Sequence, residues 1–159
     1  MFWHADNSTY GWLLQGFASS SNIAGPYTFI DATSPLGNWS QDFGMFTDYK
    51  DGKSYSLWSN GDRKEGRDVY LTSYNDDITA LDKVIHRFDK YDLEAPTIVQ
   101  TEKSYFALMS HKTGYRPNSR PFLPILIVLE NETNKKQMSL RSVPILSPAL
   151  GVSHSLFLH

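Results

Sequence analysis

The sequence predicts an all-β protein built from antiparallel strands. Short runs of β-prone residues, bounded by Gly, Pro, Asn and Asp, recur as far as Asn118. An Asp51-Gly52 pair inside the segment TDYKDGKSYSLWSN, residues 47–60, marks a tight hairpin turn. A common plan of roughly fifty residues also occurs twice, which is typical of folds assembled from repeated units.

Taken in chain order, the strand-like segments are separated by turn residues. We expect strands at residues 1–4, 13–19, 54–58, 68–73, 97–101 and 105–110. Residues 78–88 resemble a helix weakly, because they lack a convincing N-terminal cap. An outer strand at residues 83–88, entered through a turn at residues 75–77, remains an equal alternative.

Composition excludes several functional classes. The 159 residues are 40% hydrophobic and 20% charged, which describes one globular domain or a piece of a larger one. A formal net charge of -2 offers no basic surface for nucleic acid, so that partner is not expected. The absence of cysteine excludes a disulfide scaffold, a cysteine zinc site and a thiol nucleophile.

The composition changes near Asn118. Every Tyr, Trp and Asp precedes that residue, whereas residues 119–159 contain four prolines and Gly151 as the single glycine. We expect a domain at residues 1–118 and an atypical tail at residues 119–159 that is either disordered or the product of mis-splicing. A small subdomain is the alternative, although about forty residues offer little core. Within the tail, PILIVL is β-prone and aggregation-prone if uncovered.

Targeting signals are weak in this sequence. The longest apolar run, residues 124–129, is far shorter than the ~20 residues of a spanning helix, so no membrane partner is expected. Residues 1–10 lack a basic flank followed by an apolar stretch, so no signal peptide is expected. Three Asn-x-Ser/Thr sequons begin at Asn7, Asn38 and Asn131 and weakly favour secretion.

The repeat becomes visible when SQDFGMFTDYKDGKSYSLWSN is placed beside YDLEAPTIVQTEKSYFALMSH. Each unit runs from an acid through a short strand, a polar turn and Lys-Ser-Tyr to a second strand. Asp42 opens the first unit and Glu94 the second. Four-stranded repeats of ~40 to 50 residues are typical of β-propeller blades, whose first strands face the central axis. Two carboxylates would then meet at one pocket; two ordinary hairpins with chance acids remain the alternative.

At these residues the sequence resembles a known family. The stretches FWHADNSTYGWLLQGFASSSNIAGPYTF, PLGNWSQDFGMF, DGKSYSLWSN, LEAPTIV and SHKTGYRPN resemble glycoside hydrolase family 43, in its fungal-type galactan 1,3-beta-galactosidase branch. The resemblance covers residues 2–118 and implies a five-bladed β-propeller of roughly twice this length. We therefore expect a fragment of about two to three blades, with Met1 on the second strand of its first blade.

The resemblance also implies chemistry. It indicates an extracellular, inverting glycosidase that is exo-acting on β-1,3-linked galactan or arabinogalactan of plant cell walls, with no metal, no cofactor and no implied oligomer. Glu94 in LEAP matches the general acid, and Asp42 in SQDFGM matches the residue that orients the acid and modulates its pKa. An anionic neighbour raises the pKa of a carboxylic acid that must stay protonated. No residue matches the group that activates water. A catalytically inactive carbohydrate-binding fragment is the alternative.

Aromatic side chains complete the predicted site. Trp39, Trp58 and Tyr115 are candidates for stacking on sugar rings, although core packing is the stronger alternative for Trp58. His4 and Asp6 form an H-x-D pair that lacks a third metal ligand with suitable spacing. A structural histidine beside a turn aspartate is therefore favoured over a metal site.

Overall fold

A computed structural model describes residues 1–60, 68–89, 92–102 and 104–112, together with the backbone of residues 127–128 and 139–140. Regular structure in this part of the chain is β, apart from one short 3-10 turn at Pro35–Gly37. The strands are β1 Phe2–Ala5, β2 Leu14–Ser19, β3 Thr28–Thr33, β4 Phe43–Thr47, β5 Ser54–Ser59, β6 Val69–Tyr74, β7 Leu81–Phe88, β8 Leu93–Gln100, β9 Tyr105–His111, β10 Ile127–Val128 and β11 Ser139–Leu140. The predicted all-β class is confirmed.

The strands pair with their neighbours in sequence. A first sheet has the order β1-β2-β3, a second sheet β4-β5-β6-β7 and a third sheet β8-β9, and every pairing is antiparallel. A separate short ladder pairs β10 with β11. This succession of sequential antiparallel sheets is the arrangement expected of propeller blades.

The second and third sheets enclose the largest described core. Strands β5 and β6, the two central strands of the second sheet, are buried along their whole length. One face of these strands packs against β8 and β9 through large apolar side chains. The cluster consists of Tyr55, Leu57, Val69, Leu71, Phe88, Leu93, Ala107 and Met109.

The opposite face of the second sheet carries its own aromatic side chains, and Phe2 of the first sheet contacts one of them. Trp58 stacks on Tyr70 with ring centroids 4.5 Å apart, and its indole N–H donates to Thr72 Oγ1 at 3.1 Å. Phe2 of β1 lies 5.3 Å from Tyr74, again between ring centroids. The second sheet thus contacts the first sheet through Phe2 and the third sheet through the apolar core.

The predicted hairpin between β4 and β5 is present. The Gly52 N–H donates to the carbonyl of Asp48 at 2.7 Å, and the Asp48 N–H donates to the carbonyl of Lys53 at 2.9 Å. Gly52 has φ 72, a left-handed conformation that glycine adopts without steric cost. The Asp51-Gly52 signal was therefore sufficient to predict this turn.

A polar network at the same end ties this hairpin to the third sheet. Asp48 accepts a hydrogen bond from the Tyr105 hydroxyl on Oδ2 and one from the Gln100 side chain on Oδ1, both at 2.5 Å. Burial alone would raise the pKa of Asp48, but these bonds, the Lys50 N–H and the Lys50 charge outweigh it and hold the pKa below its usual value. The carboxylate is therefore fixed between two hairpins.

The predicted helix at residues 78–88 is wrong. Leu81–Phe88 forms strand β7, which pairs with β6 and has two register shifts. Asn75 closes the preceding turn, because its Oδ1 accepts the N–H groups of Thr79 and Ala80 at 2.9 and 3.0 Å. The alternative of an outer strand entered through a turn is confirmed.

Two strands differ from the sequence expectation. Strand β3 was not predicted, and β8 begins at Leu93, several residues before the expected start. In the tail, the backbone of Ile127–Val128 pairs with that of Ser139–Leu140. The other residues of the predicted tail lie outside the described residues.

Candidate active site at the edge shared by two sheets

Asp42 lies immediately before β4, at the end of the second sheet that adjoins the start of β8. Its carbonyl accepts the N–H of Ser59 at 2.9 Å, and the Gln41 N–H donates to the Ser59 carbonyl at 2.9 Å, so the backbone here continues the β4–β5 ladder. The carboxylate Oδ2 accepts the backbone N–H of Ala95 from the third sheet at 3.1 Å. Asp42 therefore contacts the residue that follows Glu94.

Glu94 is the second residue of β8 and is half-buried. It pairs with Ser110 of β9, and the Ser110 hydroxyl donates to the Glu94 carbonyl at 3.4 Å. The register shifts between Glu94 and Thr97, and Ala95 has φ 50. Irregularities of this kind bend a strand and redirect its side chains, and they occur often beside active sites. The two acids that open the repeat thus lie at adjoining strand starts.

The glycine of the SQDFGM motif permits this close approach. A Cβ atom at Gly44 would lie 2.6 Å from the carbonyl oxygen of Pro96, which is backbone and cannot rotate away. Gly44 therefore allows β4 and the irregular start of β8 to touch. Gly44 is part of the SQDFGM motif, but the motif alone did not indicate that a side chain at this position would clash with Pro96.

A second contact joins the same two sheets beside the acids. The Lys112 ammonium donates to the side-chain oxygen of Gln41, which directly precedes Asp42. The Lys112 N–H donates to the carbonyl of Asp92 at 3.0 Å, at the base of β8. Lys112 therefore fixes the end of β9 against both acid-bearing strands; sequence analysis did not single it out.

The predicted aromatic residues differ in their placement. Trp39 precedes β4 and is 48% exposed, three residues before Asp42. Trp58 has no exposed surface, so its prediction as a sugar-stacking residue is wrong. It is a core residue, which was the stronger alternative. Tyr115 lies outside the described residues.

The H-x-D pair forms a local contact. His4 Nε2 lies 3.0 Å from Asp6 Oδ2. Within the described ranges, no group of three or more His, Cys, Asp or Glu side chains could hold a metal ion. Asp6 stabilises its own turn, because its Oδ1 accepts the N–H groups of Asn7 and Trp12, each at 2.8 Å. These bonds make Asp6 a turn residue, and the structural interpretation of the pair stays a prediction.

The described residues contain no helix long and apolar enough to cross a membrane.

Comparison with known proteins gives matches among solved structures. An exo-beta-1,3-galactanase from Phanerochaete chrysosporium with galactose has a TM-score of 0.68 and 29% identity, over 74% of this chain and 27% of that chain. A family 43 beta-1,3-galactosidase has a TM-score of 0.58 and 31% identity, over 69% of this chain and 22% of that chain. The chain resembles part of a glycoside hydrolase family 43 galactanase.

This structural similarity confirms the resemblance first seen in the motifs. The sheets match part of the five-bladed β-propeller of family 43 enzymes. A variant of the Phanerochaete chrysosporium enzyme with beta-1,3-galactotriose matches at 28% identity and a TM-score of 0.67. The chain spans about a quarter of the length of the family 43 structures named above, at 27% of the Phanerochaete chrysosporium chain with galactose and 27% of its variant with galactotriose. No protein-family model and no curated protein matches the sequence.

Proposed function

We propose that this chain is part of an extracellular glycoside hydrolase that releases terminal galactose from β-1,3-linked galactan, such as the galactan of plant arabinogalactan. The hydrogen bond from the Ala95 N–H to Asp42 Oδ2, 3.1 Å long, is the observation that carries the proposal. It joins Asp42, one of the two acids that the repeat and the family motifs single out, to the residue that follows the other, Glu94. Family 43 galactanases are also the structures that the chain resembles.

In this mechanism Glu94 is the general acid. Its carboxyl proton passes to the glycosidic oxygen while the bond between that oxygen and the anomeric carbon breaks. A water molecule attacks the anomeric carbon from the opposite face of the sugar, which inverts the configuration, and loses its proton to a general base. We assign no described residue to that base.

Asp42 has two functions in the proposal. Its carboxylate fixes the backbone next to Glu94, since it accepts the Ala95 N–H. Its negative charge disfavours ionisation of the neighbouring acid and so raises the pKa of Glu94. A general acid needs this adjustment because it must remain protonated near the working pH.

The test is galactose release from β-1,3-galactan by the full chain and by Glu94→Gln. Glutamine keeps the shape of the side chain but cannot donate a carboxyl proton, so we expect turnover to fall by about 10²–10⁴-fold. Binding of β-1,3-galactotriose should change little. Glu102→Gln, which removes an exposed carboxylate beyond the far end of β8, is the matched control and should leave turnover unchanged.

Turnover by Glu94→Gln at the level of the unsubstituted chain would refute the acid assignment. A non-catalytic carbohydrate-binding protein is the second candidate, and exposed Trp39 beside Asp42 favours it. Galactotriose binding without turnover in the unsubstituted chain would identify that function.

A further inference from the structure

The loop between β1 and β2 displays aromatic side chains to solvent. Tyr10 is 71% exposed and Trp12 is 57% exposed. A large exposed aromatic ring on a soluble protein often marks a binding surface, because tryptophan contributes a large apolar area together with an N–H donor. The other tryptophan of this region that faces solvent to a similar extent is Trp39.

Hydrogen bonds hold this loop in one shape. Asp6 Oδ1 accepts the Trp12 N–H at 2.8 Å, and Asn7 Oδ1 accepts the N–H groups of Thr9 and Gly11 at 3.1 and 2.9 Å. Tyr10, with φ 53, occupies a left-handed conformation that is unfavourable for a side chain of this size. Such a conformation persists only where surrounding bonds determine it, so Trp12 is presented on an ordered support.

The same loop lies against the segment that carries Asp42. The Ser40 N–H donates to the Leu13 carbonyl at 2.7 Å, and the Gln15 side chain donates to Ser40 Oγ at 3.0 Å. Gln15 and Ser40 are completely buried, so this junction is fixed. Trp12 directly precedes Leu13 and Trp39 directly precedes Ser40. One short backbone bond therefore joins the residues that directly follow two exposed tryptophans, at a position two residues before Asp42.

We propose that Trp12 and Trp39 together form an aromatic platform that binds the sugar units following the terminal galactose of a β-1,3-galactan chain. The proposal rests on the proposed function. It adds Trp12 as a substrate-binding residue and extends the site from the acids onto the first sheet. The C–H faces of galactose are apolar and stack on indole rings. Because the loop is already ordered, binding does not pay the entropic cost of positioning Trp12.

The test is calorimetric titration of the full chain and of Trp12→Ala with galactose and with β-1,3-galactotriose. We expect Trp12→Ala to weaken galactotriose binding by about three- to tenfold, as for loss of one aromatic contact. Galactose binding should be unchanged, because the terminal sugar lies at the acids. Trp12→Phe keeps a ring and should recover most of the affinity.

Tyr49→Ala is the matched control. Tyr49 is also highly exposed, but it lies in the β4–β5 turn at the opposite end of the second sheet. Its removal should leave the affinity for both sugars unchanged. Acrylamide quenching of tryptophan fluorescence in the unsubstituted chain gives a measurement without a variant, and galactotriose should protect against quenching more than galactose does.

The outcomes separate the two proposals. If neither sugar binds the unsubstituted chain, both the proposed function and the proposed aromatic platform are wrong. If galactotriose binds but Trp12→Ala binds it equally well, or if galactotriose gives no added protection from acrylamide, the platform alone is wrong.

Discussion

Asp42 contacts the neighbouring sheet through one carboxylate oxygen, which accepts the Ala95 N–H. A substitution can therefore remove the charge of Asp42 and keep this hydrogen bond. In Asp42→Asn the amide oxygen can still accept the Ala95 N–H, while the negative charge is lost. We expect the pKa of Glu94 to fall, so the alkaline limb of the pH dependence of kcat/KM moves to lower pH. The pH profile of galactose release measures this shift, and an unmoved limb would refute the modulating function of Asp42.

For single residues, the sequence predicted a structural position where that position depends on neighbours close in the chain. The two acids could be singled out as candidates because each opens a repeated unit, and the turn at Asp51-Gly52 could be predicted because glycine permits φ 72 at Gly52. The sequence did not single out Lys112, or Trp12 of the proposed platform. Their positions depend on contacts with Gln41 and with the segment at Ser40, which are distant in sequence.

The hairpins β4–β5 and β8–β9 are joined at one end by the bond from Ala95 to Asp42 and at the other by the Asp48 network. Tyr105→Phe removes the hydroxyl that donates to Asp48 Oδ2. Because a hydrogen bond to a charged group contributes about 1.5–3 kcal/mol, we expect the free energy of unfolding to fall by about that amount. Urea denaturation at neutral pH measures the loss.

The pH dependence follows from the lowered pKa of Asp48. Its stabilising contribution is complete above the unfolded value of 3.8 and disappears as the pH falls through the lower folded value. The difference between the chain and Tyr105→Phe should therefore shrink on acidification below 3.8. Tyr27→Phe is the control, since the Tyr27 hydroxyl donates to the Ile23 carbonyl at an exposed site. A pH-independent difference would contradict this origin.

Strand β7 shows why the type of an element can be mistaken. Leu81, Val84, Ile85 and Phe88 have the spacing of one helix face. The two register shifts along β7 disturb the alternation that would have marked a strand, and pairing with β6 decides the structure. Strand β3 escaped notice because nearly all its residues are exposed, so no buried face produces an alternating pattern.

At the scale of the described sheets, the second sheet packs on the third through a shared apolar core. The third sheet uses one face for the core and shows the other to solvent, where Val99 is 48% exposed and pairs with Phe106. In this face Leu108 is also exposed. Uncovered apolar sheet faces promote association.

We expect Val99→Lys to raise the protein concentration at which the chain self-associates by several-fold, because a charge on this face opposes its burial. Sedimentation velocity across a concentration series is the measurement. Val84→Lys, at a similarly exposed valine on β7, is the matched control and should have a smaller effect. Equal effects of the two substitutions would show that general surface charge, and not this face, governs association.

The bond between Ala95 and Asp42 joins residues 53 positions apart, whereas the indole of Trp58 donates to Thr72 only 14 positions away. Contacts between distant residues require closure of a longer loop and so tend to form later in folding. A refolding chain would bury Trp58 within the second sheet before Asp42 contacts Ala95. Tryptophan fluorescence would then report the early assembly of the hairpins, and the recovery of sugar binding would report the docking of the sheets.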